Sequence, residues 1–163
     1  TFVVGNKLLL GMTDEVPEEP YEVPFGVART VREGDAITIV ALGRMVVEAL
    51  TAAESLAADG IEAAVVDPRT LSPLDTDTIV ASVRSTNRAL VVHEAVRFGG
   101  FGAEIAAQIQ EHAFDYLDAP VARVGAPFAP VPFSPALERE YVPDAARIEA
   151  AARDLLARRL SGA

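Results

Sequence analysis

The sequence predicts an α/β protein with three layers, in which helices cover both faces of a mainly parallel sheet. Short apolar runs rich in β-branched residues alternate along the chain with longer amphipathic stretches. None of these runs alternates cleanly between apolar and polar residues, which is typical of strands that are buried on both faces. With 163 residues, half of them apolar, the chain is long enough for one domain of this kind.

Four strands are predicted from the apolar runs. They cover residues 36–42, 63–66, 90–92 and, more weakly, 121–124. The loops that follow such strands gather at one edge of a parallel sheet, where ligands and partners usually bind. We therefore look for functional residues in the loops 43–44, 67–74, 93–102 and 125–131.

Four amphipathic helices are predicted between and after the strands. They cover residues 44–59, 75–84, 103–114 and 144–160. The first ends before Gly60, a residue typical of the position after a helix, and the second begins with Asp75 or Thr76 as its N-cap. Each helix places a stripe of apolar residues toward the sheet, such as Ile105 and Ile109 in the third.

Residues 1–26 differ in composition from the rest of the chain. Between residues 13 and 24, five acidic residues alternate with Pro17, Pro20 and Pro24, which predicts an extended surface linker. Residues 2–4 and 8–10 are apolar and predict the edge of a preceding unit or a strand that returns onto this domain. We expect residues 1–26 to be a lead-in strand and linker from a missing N-terminal domain, and residues 27–163 to be the domain itself.

The composition excludes several classes of function. Acidic residues outnumber basic ones by 24 to 14, and the net charge of −10 repels nucleic acid and anionic membranes but attracts a basic protein module. The absence of cysteine excludes disulfides, thiolate nucleophiles and cysteine-type zinc sites. No apolar run approaches the roughly 20 residues that span a bilayer. Thirteen of the 14 basic residues are arginine, a bias typical of GC-rich bacteria, and we expect a bacterial cytoplasmic protein.

His93 and Glu94, at the end of the third predicted strand, are the first candidates for acid–base chemistry. Adjacent residues of a strand point to opposite faces, so we expect each to be hydrogen-bonded separately into a rim or an interface. A zinc site is not expected, because His112 is the only other histidine and Arg97 stands where a second ligand would be needed.

Two loops at this rim allow more than one interpretation. The glycine-rich residues 99–102 match neither dinucleotide-binding nor P-loop spacing, which favours a tight turn against the sheet over a phosphate site. Residues 67–73, with Asp67 and Arg69, form either a turn held by local hydrogen bonds or a surface pressed against another subunit. Residues 127–135, with Phe128 and Phe133, are expected to lie against the domain or a neighbouring chain.

Six motifs, in this order and spacing, resemble one family. The chain is similar to the C-terminal domain of the beta subunit of thiamine-diphosphate-dependent 2-oxo acid dehydrogenases in PEEPYEVPFGV (17–27), ALGRMVVEAL (41–50), DPRTLSPLD (67–75), HEAVRFGGFGAEIA (93–106), FDYLDAP (114–120) and PVPFSPALEREYVPD (130–144). The resemblance implies a transketolase C-terminal-domain-like fold, with a five-stranded mixed sheet whose first strand runs against the others. It also implies a decarboxylating enzyme that transfers an acyl group to the lipoyl groups of an acyltransferase core.

The resemblance implies that the catalytic site of the enzyme lies outside this chain. In that family thiamine diphosphate and Mg²⁺ lie between the alpha subunit and the N-terminal domain of the beta subunit, which also supplies the glutamate that activates the cofactor. No catalytic, cofactor-binding or metal-binding residue is therefore carried over to this chain, and the isolated domain is expected to be inactive and free of cofactor.

What the resemblance implies for this domain is assembly. In the family, the C-terminal domains pair the two beta subunits and support the parts of the enzyme that bind the cofactor together with the alpha subunit. They also present a docking surface to the basic peripheral-subunit-binding domain of the acyltransferase core. Asp118, the acidic residue of the LDAP motif, resembles the residue that meets this basic partner. Candidates for the rim or a subunit interface are Asp67, Arg69, His93, Glu94, Arg97 and Phe98.

Alternatives remain open for substrate and function. Related chains often have Glu-His-Lys or Glu-Asn-Lys at the positions of Gly5, Asn6 and Lys7. The sequence does not choose among pyruvate, branched-chain 2-oxo acids and acetoin as the substrate. A C-terminal domain of a transketolase or of deoxyxylulose-phosphate synthase would share the fold, although the LDAP and PVPFSPALE segments favour the dehydrogenase. A free-standing acidic binding module is the third alternative.

Overall fold

The computed structural model describes residues 1–13 and 15–158 and contains strands and helices in the predicted order. The strands are β1 (Arg29–Arg32), β2 (Ile37–Ala41), β3 (Ala63–Asp67), β4 (Ala89–Val96) and β5 (Ala122–Ala126). The helices are α1 (Met45–Ala57), α2 (Thr76–Thr86), α3 (Gly102–Ala113), α4 (Pro135–Tyr141) and α5 (Ala145–Ala157), and two short 3₁₀ helices cover Lys7–Gly11 and Phe114–Tyr116. Arg159 and Leu160, at the end of the predicted helix 144–160, lie outside the described residues.

The five strands form one sheet in the order β1-β3-β2-β4-β5. Strand β1 runs antiparallel to β3, and the β3–β2, β2–β4 and β4–β5 pairs are parallel. This confirms the predicted mainly parallel five-stranded sheet with one antiparallel strand. The parallel strands place the loops after β3, β4 and β5 at one edge of the sheet.

Helices cover both faces of the sheet, which confirms the three layers. On one face, α1 and α5 pack against alternate strand residues such as Ile37, Ile39 and Val65. On the other face, α2 and α3 pack against the intervening residues, such as Val40 and Val66. All five residues of β2 are buried, which explains why its sequence has no polar face.

A buried hydroxyl network fastens α2 to the central strand. Thr38 of β2 is fully buried, and its Oγ1 lies 2.9 Å from the Oγ of Ser82 and 2.8 Å from the Oγ1 of Thr86. The hydroxyl groups therefore satisfy one another inside an apolar layer, where an unpaired polar group would be costly. The N-cap of the same helix is Asp75, whose carboxylate accepts hydrogen bonds from the backbone N–H groups of Thr78 and Ala28.

The expected lead-in strand is not formed within the described part of this chain, and its pairing with a preceding domain stays a prediction. Residues 1–13 and 15–26 contain no strand, and Lys7–Gly11 form a 3₁₀ helix instead. The side-chain oxygen of Asn6 accepts a hydrogen bond of 2.9 Å from the N–H of Leu8, so the backbone is satisfied locally without a strand partner. The linker is exposed and free of helix and strand at residues 13 and 15–24, as predicted, while Asp14 lies outside the described residues.

Among the described residues, none of the helices is both long enough and apolar enough to cross a membrane. Helix α4 was not predicted, although Ser134 followed by Pro135 at the first helical position is a typical helix start. The hydroxyl of Tyr141, at the end of this helix, donates a hydrogen bond of 2.9 Å to the carbonyl of Ala129. This contact holds the preceding apolar loop to the helix.

The connection from β1 to β2 must cross β3, because β3 lies between these two strands. Gly34 makes the crossing, and a Cβ atom built there would collide with the backbone of Ala63 and Ala64. The N–H groups of Asp35 and Ala36 both donate to the carbonyl of Glu62, at 3.1 and 2.9 Å. The crossing therefore brings two backbone segments together more closely than any side chain would allow.

We expect Gly34→Ala to lower the free energy of unfolding by about 1–3 kcal/mol, because the added methyl group must push two backbone segments apart. Urea unfolding at neutral pH measures the change. Gly11→Ala is the control, because a Cβ at Gly11 meets no atom within 4 Å. Equal stability of the two variants would contradict the close crossing.

Candidate functional site

The predicted site residues lie at opposite ends of the sheet. Asp67 ends β3, His93 and Glu94 lie inside β4, and Arg97 and Phe98 follow it, so these residues share the carboxyl-end rim. Asp118 follows the 3₁₀ helix that leads into β5 and lies at the amino-end edge. The structure therefore brings the rim candidates together and separates Asp118 from them.

His93 is buried beneath the rim. It is 2% exposed, and neither ring nitrogen has a hydrogen-bond partner of good geometry among the described residues. Burial lowers the pKa of His93 below its ordinary value, the nearby backbone of Ala95 opposes this shift, and the positive charge of Arg123 adds to it. The ring is therefore neutral near pH 7.

Three glycines make room for this imidazole. A Cβ at Gly100 or Gly102 would collide with the His93 ring, and a Cβ at Gly125 would lie 3.1 Å from its Cε1. The glycine-rich turn before α3 is thus packed against a side chain, as the close-packing interpretation predicts. The packing of His93 therefore accounts for the glycines at these positions.

Glu94 points away from His93 into a separate polar network. Its Oε2 accepts a hydrogen bond of 2.7 Å from the side-chain amide of Asn6, and its Oε1 lies 3.5 Å from the guanidinium of Arg44. Arg44 also pairs with Glu48 at 2.8 Å, and Glu48 accepts a bond of 3.1 Å from the N–H of Ala145 at the start of α5. The two candidates therefore do not meet, as the strand geometry predicts.

The loop after β3 is a locally hydrogen-bonded turn. Asp67 accepts a bond of 2.9 Å from the N–H of Arg69, whose φ of 60° lies in the left-handed region. Thr70 accepts from the N–H of Gly26 and donates to the carbonyl of Pro73. Burial raises the pKa of Asp67, although Arg69 opposes the shift. The turn interpretation therefore holds within the chain, and an interface at this loop stays a prediction.

An arginine-lined groove of about 570 Å³ opens at the carboxyl ends of β4 and β5. Arg97, Arg123 and Arg147 surround it together with Phe98 and Phe128, whose ring centroids lie 5.0 Å apart. Arg97 and Phe98 are candidates from the sequence, but the groove could not be predicted because Arg123 and Arg147 are distant along the chain.

The loop 127–135 is only partly packed against the domain. Phe128 contacts Phe98, whereas the side chain of Phe133 is fully exposed and lies against nothing in this chain. The expectation that this loop lies on the domain therefore holds at Phe128 and fails at Phe133. Contact of Phe133 with a neighbouring chain stays a prediction.

Asp118 is 55% exposed and forms an ion pair with Arg88, whose Nη1 lies 3.2 Å from its Oδ2. Its backbone N–H donates to the carbonyl of Asn87 at 2.9 Å, which fixes the loop. Asp118 can therefore present its second carboxylate oxygen to a basic partner while one oxygen faces Arg88. Its role in docking stays a prediction.

Thiamine diphosphate with Mg²⁺, which the resemblance implies for the complete enzyme, does not fit the residues described. Within residues 1–13 and 15–158, no three His, Cys, Asp or Glu side chains come together to hold a metal ion. The lining of the arginine groove contains no carboxylate, whereas Mg²⁺ binds through oxygen ligands. We therefore assign no catalytic or cofactor-binding step to this chain.

The buried neutral His93 predicts that stability falls with acidification. Its pKa is lower in the folded state, so the unfolded chain binds more protons below about pH 6.5 and unfolding becomes easier there. Between pH 7.5 and 5.5 the free energy of unfolding should fall with a slope of at most about 1.4 kcal/mol per pH unit from this group.

The measurement is urea unfolding at pH 7.5 and 5.5. In His93→Asn the dependence on pH over this interval should largely disappear, whatever the absolute stability of the variant. His112→Gln removes the other histidine, which is exposed on α3, and should keep the dependence. An unchanged pH dependence in His93→Asn would show that another group is responsible.

Comparison with known proteins extends these observations. The family described as "Transketolase, C-terminal domain" matches residues 26–148. The chain is 51% identical over 148 residues to the "Acetoin:2,6-dichlorophenolindophenol oxidoreductase subunit beta" of Cupriavidus necator, covering 91% of this chain and 44% of that protein. It is 46% identical over 155 residues to the "Pyruvate dehydrogenase E1 component subunit beta" of Bacillus subtilis, covering 95% of this chain and 47% of that protein.

A solved structure with a similar fold is the "Split gene transketolase, inactive beta4 tetramer". It has a TM-score of 0.74 and 34% sequence identity, and the match covers 88% of this chain and 45% of that one. The chain thus spans about half the length of the relatives that it matches. The sheet order, the single antiparallel strand and the match over residues 26–148 establish that the chain belongs to the transketolase C-terminal domain family and is homologous to the beta subunits of acetoin and pyruvate dehydrogenases.

Proposed function

We propose that this chain is the C-terminal assembly and docking domain of the beta subunit of a 2-oxo acid dehydrogenase complex of the bacterial cytoplasm. The complete enzyme would use thiamine diphosphate and Mg²⁺ to decarboxylate its substrate oxidatively and to pass the acyl group to the lipoyl groups of an acyltransferase core. The observation that carries the proposal is the similarity to the beta subunits of an acetoin oxidoreductase and of a pyruvate dehydrogenase over 91% and 95% of the chain.

Two features support a domain that is inactive when alone. Glu94 is engaged by Asn6 and Arg44 rather than by His93, so within the described residues these two candidates do not form an acid–base pair. The similar solved protein is itself described as an inactive tetramer of beta chains. By analogy, this domain would become part of an active site only when the alpha subunit and the rest of the beta subunit are present.

Exposed apolar side chains support burial of the rim in an assembly. Val131 is 73% exposed and Phe133 is fully exposed in the loop before α4, and Leu137 in α4 is 59% exposed. Neighbouring exposed apolar residues at one end of a domain are typical of surfaces that a protein partner covers. We assign the surface around Phe133, with Asp67 and Arg69, to contacts with the second beta subunit or the alpha subunit.

The opposite end supports docking of a basic partner. Asp118 is half-exposed there, and the chain carries a net charge of −10 that would attract a basic domain over a distance. We assign Asp118 to the contact with the peripheral-subunit-binding domain of the acyltransferase core. The Arg88–Asp118 ion pair would then weaken as the partner's positive charge approaches.

A second candidate is the corresponding domain of a transketolase. The similar solved structure is a split-gene transketolase, and the two chains share 34% identity. The higher identities to the acetoin and pyruvate dehydrogenase subunits, 51% and 46%, favour the dehydrogenase. Both candidates place the chemistry outside this chain.

If the catalytic site lies outside this chain, the activity of a chimeric beta subunit can be predicted. The chain alone, with thiamine diphosphate and Mg²⁺, should not reduce 2,6-dichlorophenolindophenol in the presence of acetoin, pyruvate or a branched-chain 2-oxo acid, and should show no Mg²⁺-dependent binding of the cofactor. If the chain replaces the matching C-terminal part of the Cupriavidus necator acetoin beta subunit, the chimera should regain activity with that enzyme's alpha subunit.

The control is the same beta subunit without any C-terminal part, which should be inactive. Turnover by the chain alone would contradict the proposed function. A chimera that folds and assembles with the alpha subunit but remains inactive would contradict it as well. Activity of the chimera with a ketol-transfer substrate would instead favour the transketolase candidate.

Docking is tested by the affinity for a purified peripheral-subunit-binding domain. Asp118→Asn should weaken binding by about 1–3 kcal/mol at low salt, because a charge-assisted contact is lost, and the difference should shrink as salt is raised. Arg88→Gln should strengthen binding, because it frees the carboxylate. Asp115→Asn, which makes the same charge change on the neighbouring 3₁₀ helix, is the matched control. Equal effects of the two Asp→Asn variants would remove Asp118 from the contact.

A further inference from the structure

We propose that the arginine-lined groove at the carboxyl ends of β4 and β5 binds a small organic phosphate. The phosphate group would lie between Arg97 and Arg123, and the flat apolar part of the ligand would lie on Phe98 and Phe128. Neither the family nor the proposed assembly function assigns a ligand to this groove.

The charge of the groove is opposite to that of the chain. Two of its three arginines, Arg97 and Arg123, contact no carboxylate in the part of the chain that the structure describes, and Arg123 donates only to the carbonyl of Arg97 at 3.1 Å. The third, Arg147, is paired with Glu140 at 3.1 Å. In a chain with 24 acidic and 14 basic residues, two guanidinium groups that line one groove without a carboxylate partner favour an anion as its ligand.

Two guanidinium groups match a phosphate dianion better than a carboxylate. A phosphate monoester carries nearly two negative charges at neutral pH and offers three acceptor oxygens. Guanidinium donors bind such oxygens in pairs, which favours arginine at phosphate sites. A single carboxylate would leave one of the two positive charges of Arg97 and Arg123 uncompensated.

The remaining walls of the groove are apolar. The rings of Phe98 and Phe128 lie 5.0 Å apart at an angle of 60°, and both are largely exposed, while Gly125, Ala126 and Pro127 complete the lining. The volume of about 570 Å³ lies within the range of small-molecule sites, roughly 300–1,000 Å³. A ligand with a flat apolar body would therefore cover aromatic surface that water now contacts.

His93 lies directly beneath the groove and can report on an anion bound there. Gly125 lines the groove and lies next to the imidazole, because a Cβ atom built there would lie 3.1 Å from His93 Cε1. The charged group that acts on the ring is Arg123 on the groove side, while Glu94 faces Asn6 and Arg44. An anion that compensates Arg123 should therefore raise the pKa of His93.

The test measures the affinity of the 163-residue chain for phenyl phosphate at pH 7.5 by calorimetry, in buffer with EDTA. Inorganic phosphate and benzoate are the comparison ligands. Phenyl phosphate should bind at least about tenfold more tightly than either, because only it supplies both the dianion and the aromatic ring. Binding without Mg²⁺ separates this site from the cofactor binding that requires the complete enzyme, so each proposal can fail alone.

Three substitutions locate the ligand. Arg123→Gln and Arg97→Gln should each weaken the binding of phenyl phosphate about tenfold or more, and Phe128→Ala should reduce it to the level of inorganic phosphate. Arg32→Gln is the matched control, because it removes the same charge from β1, where Arg32 pairs with Glu62 far from the groove. Circular dichroism and thermal melting establish that each variant is folded.

Nuclear magnetic resonance titration of His93 gives the second readout. Saturating phenyl phosphate should raise the pKa of His93 in the native chain and leave it unchanged in Arg123→Gln. Absence of binding, equal affinity for benzoate, equal weakening by Arg32→Gln, or an unchanged pKa of His93 in the bound native chain would each overturn the phosphate site.

Discussion

The burial of β2 and β4 on both faces is the constraint on which the rest of the structure depends. Because helices lie above and below these strands, all five residues of β2 and the first five of β4 are buried between the sheet and the helical layers. Even the one polar residue of β2, Thr38, is satisfied by hydroxyl groups of α2 rather than by water. This packing on both faces fixes the positions of the strand ends. The loops that follow β3, β4 and β5 are therefore held in place at the carboxyl-end rim.

The same constraint explains how much of the fold could be predicted. Strands buried on both faces appear in the sequence as unbroken apolar runs, so β2 to β5 were located to within a few residues. Strand β1, with the sequence RTVR, is a half-exposed edge strand without such a run and was anticipated only through the family resemblance. Helix α4 has seven residues, too few for a periodic pattern, and the lead-in segment satisfies its backbone through Asn6 rather than through a strand.

The candidate site was predictable only in part, because its decisive contacts join residues that are distant in sequence. Strand alternation correctly separated His93 from Glu94. The burial of His93 depends on glycines at the start of α3 and in β5, and the partner of Glu94 lies 88 residues earlier in the chain. Arg123 is 26 residues from Arg97, so the sequence contains no local motif for the groove that they form. Such sites become visible only when the strands are placed side by side.

The placement of Asp118 and the arginine groove at opposite edges of the sheet has a mechanical consequence. Strand β4, with eight residues, is about 26 Å long and connects the two ends through a backbone that is braced on both sides. A rigid strand of this kind keeps Asp118 and the arginine-lined groove at a constant distance from each other. A molecule held at one end therefore neither shields nor crowds the other, and both ends can be occupied at the same time.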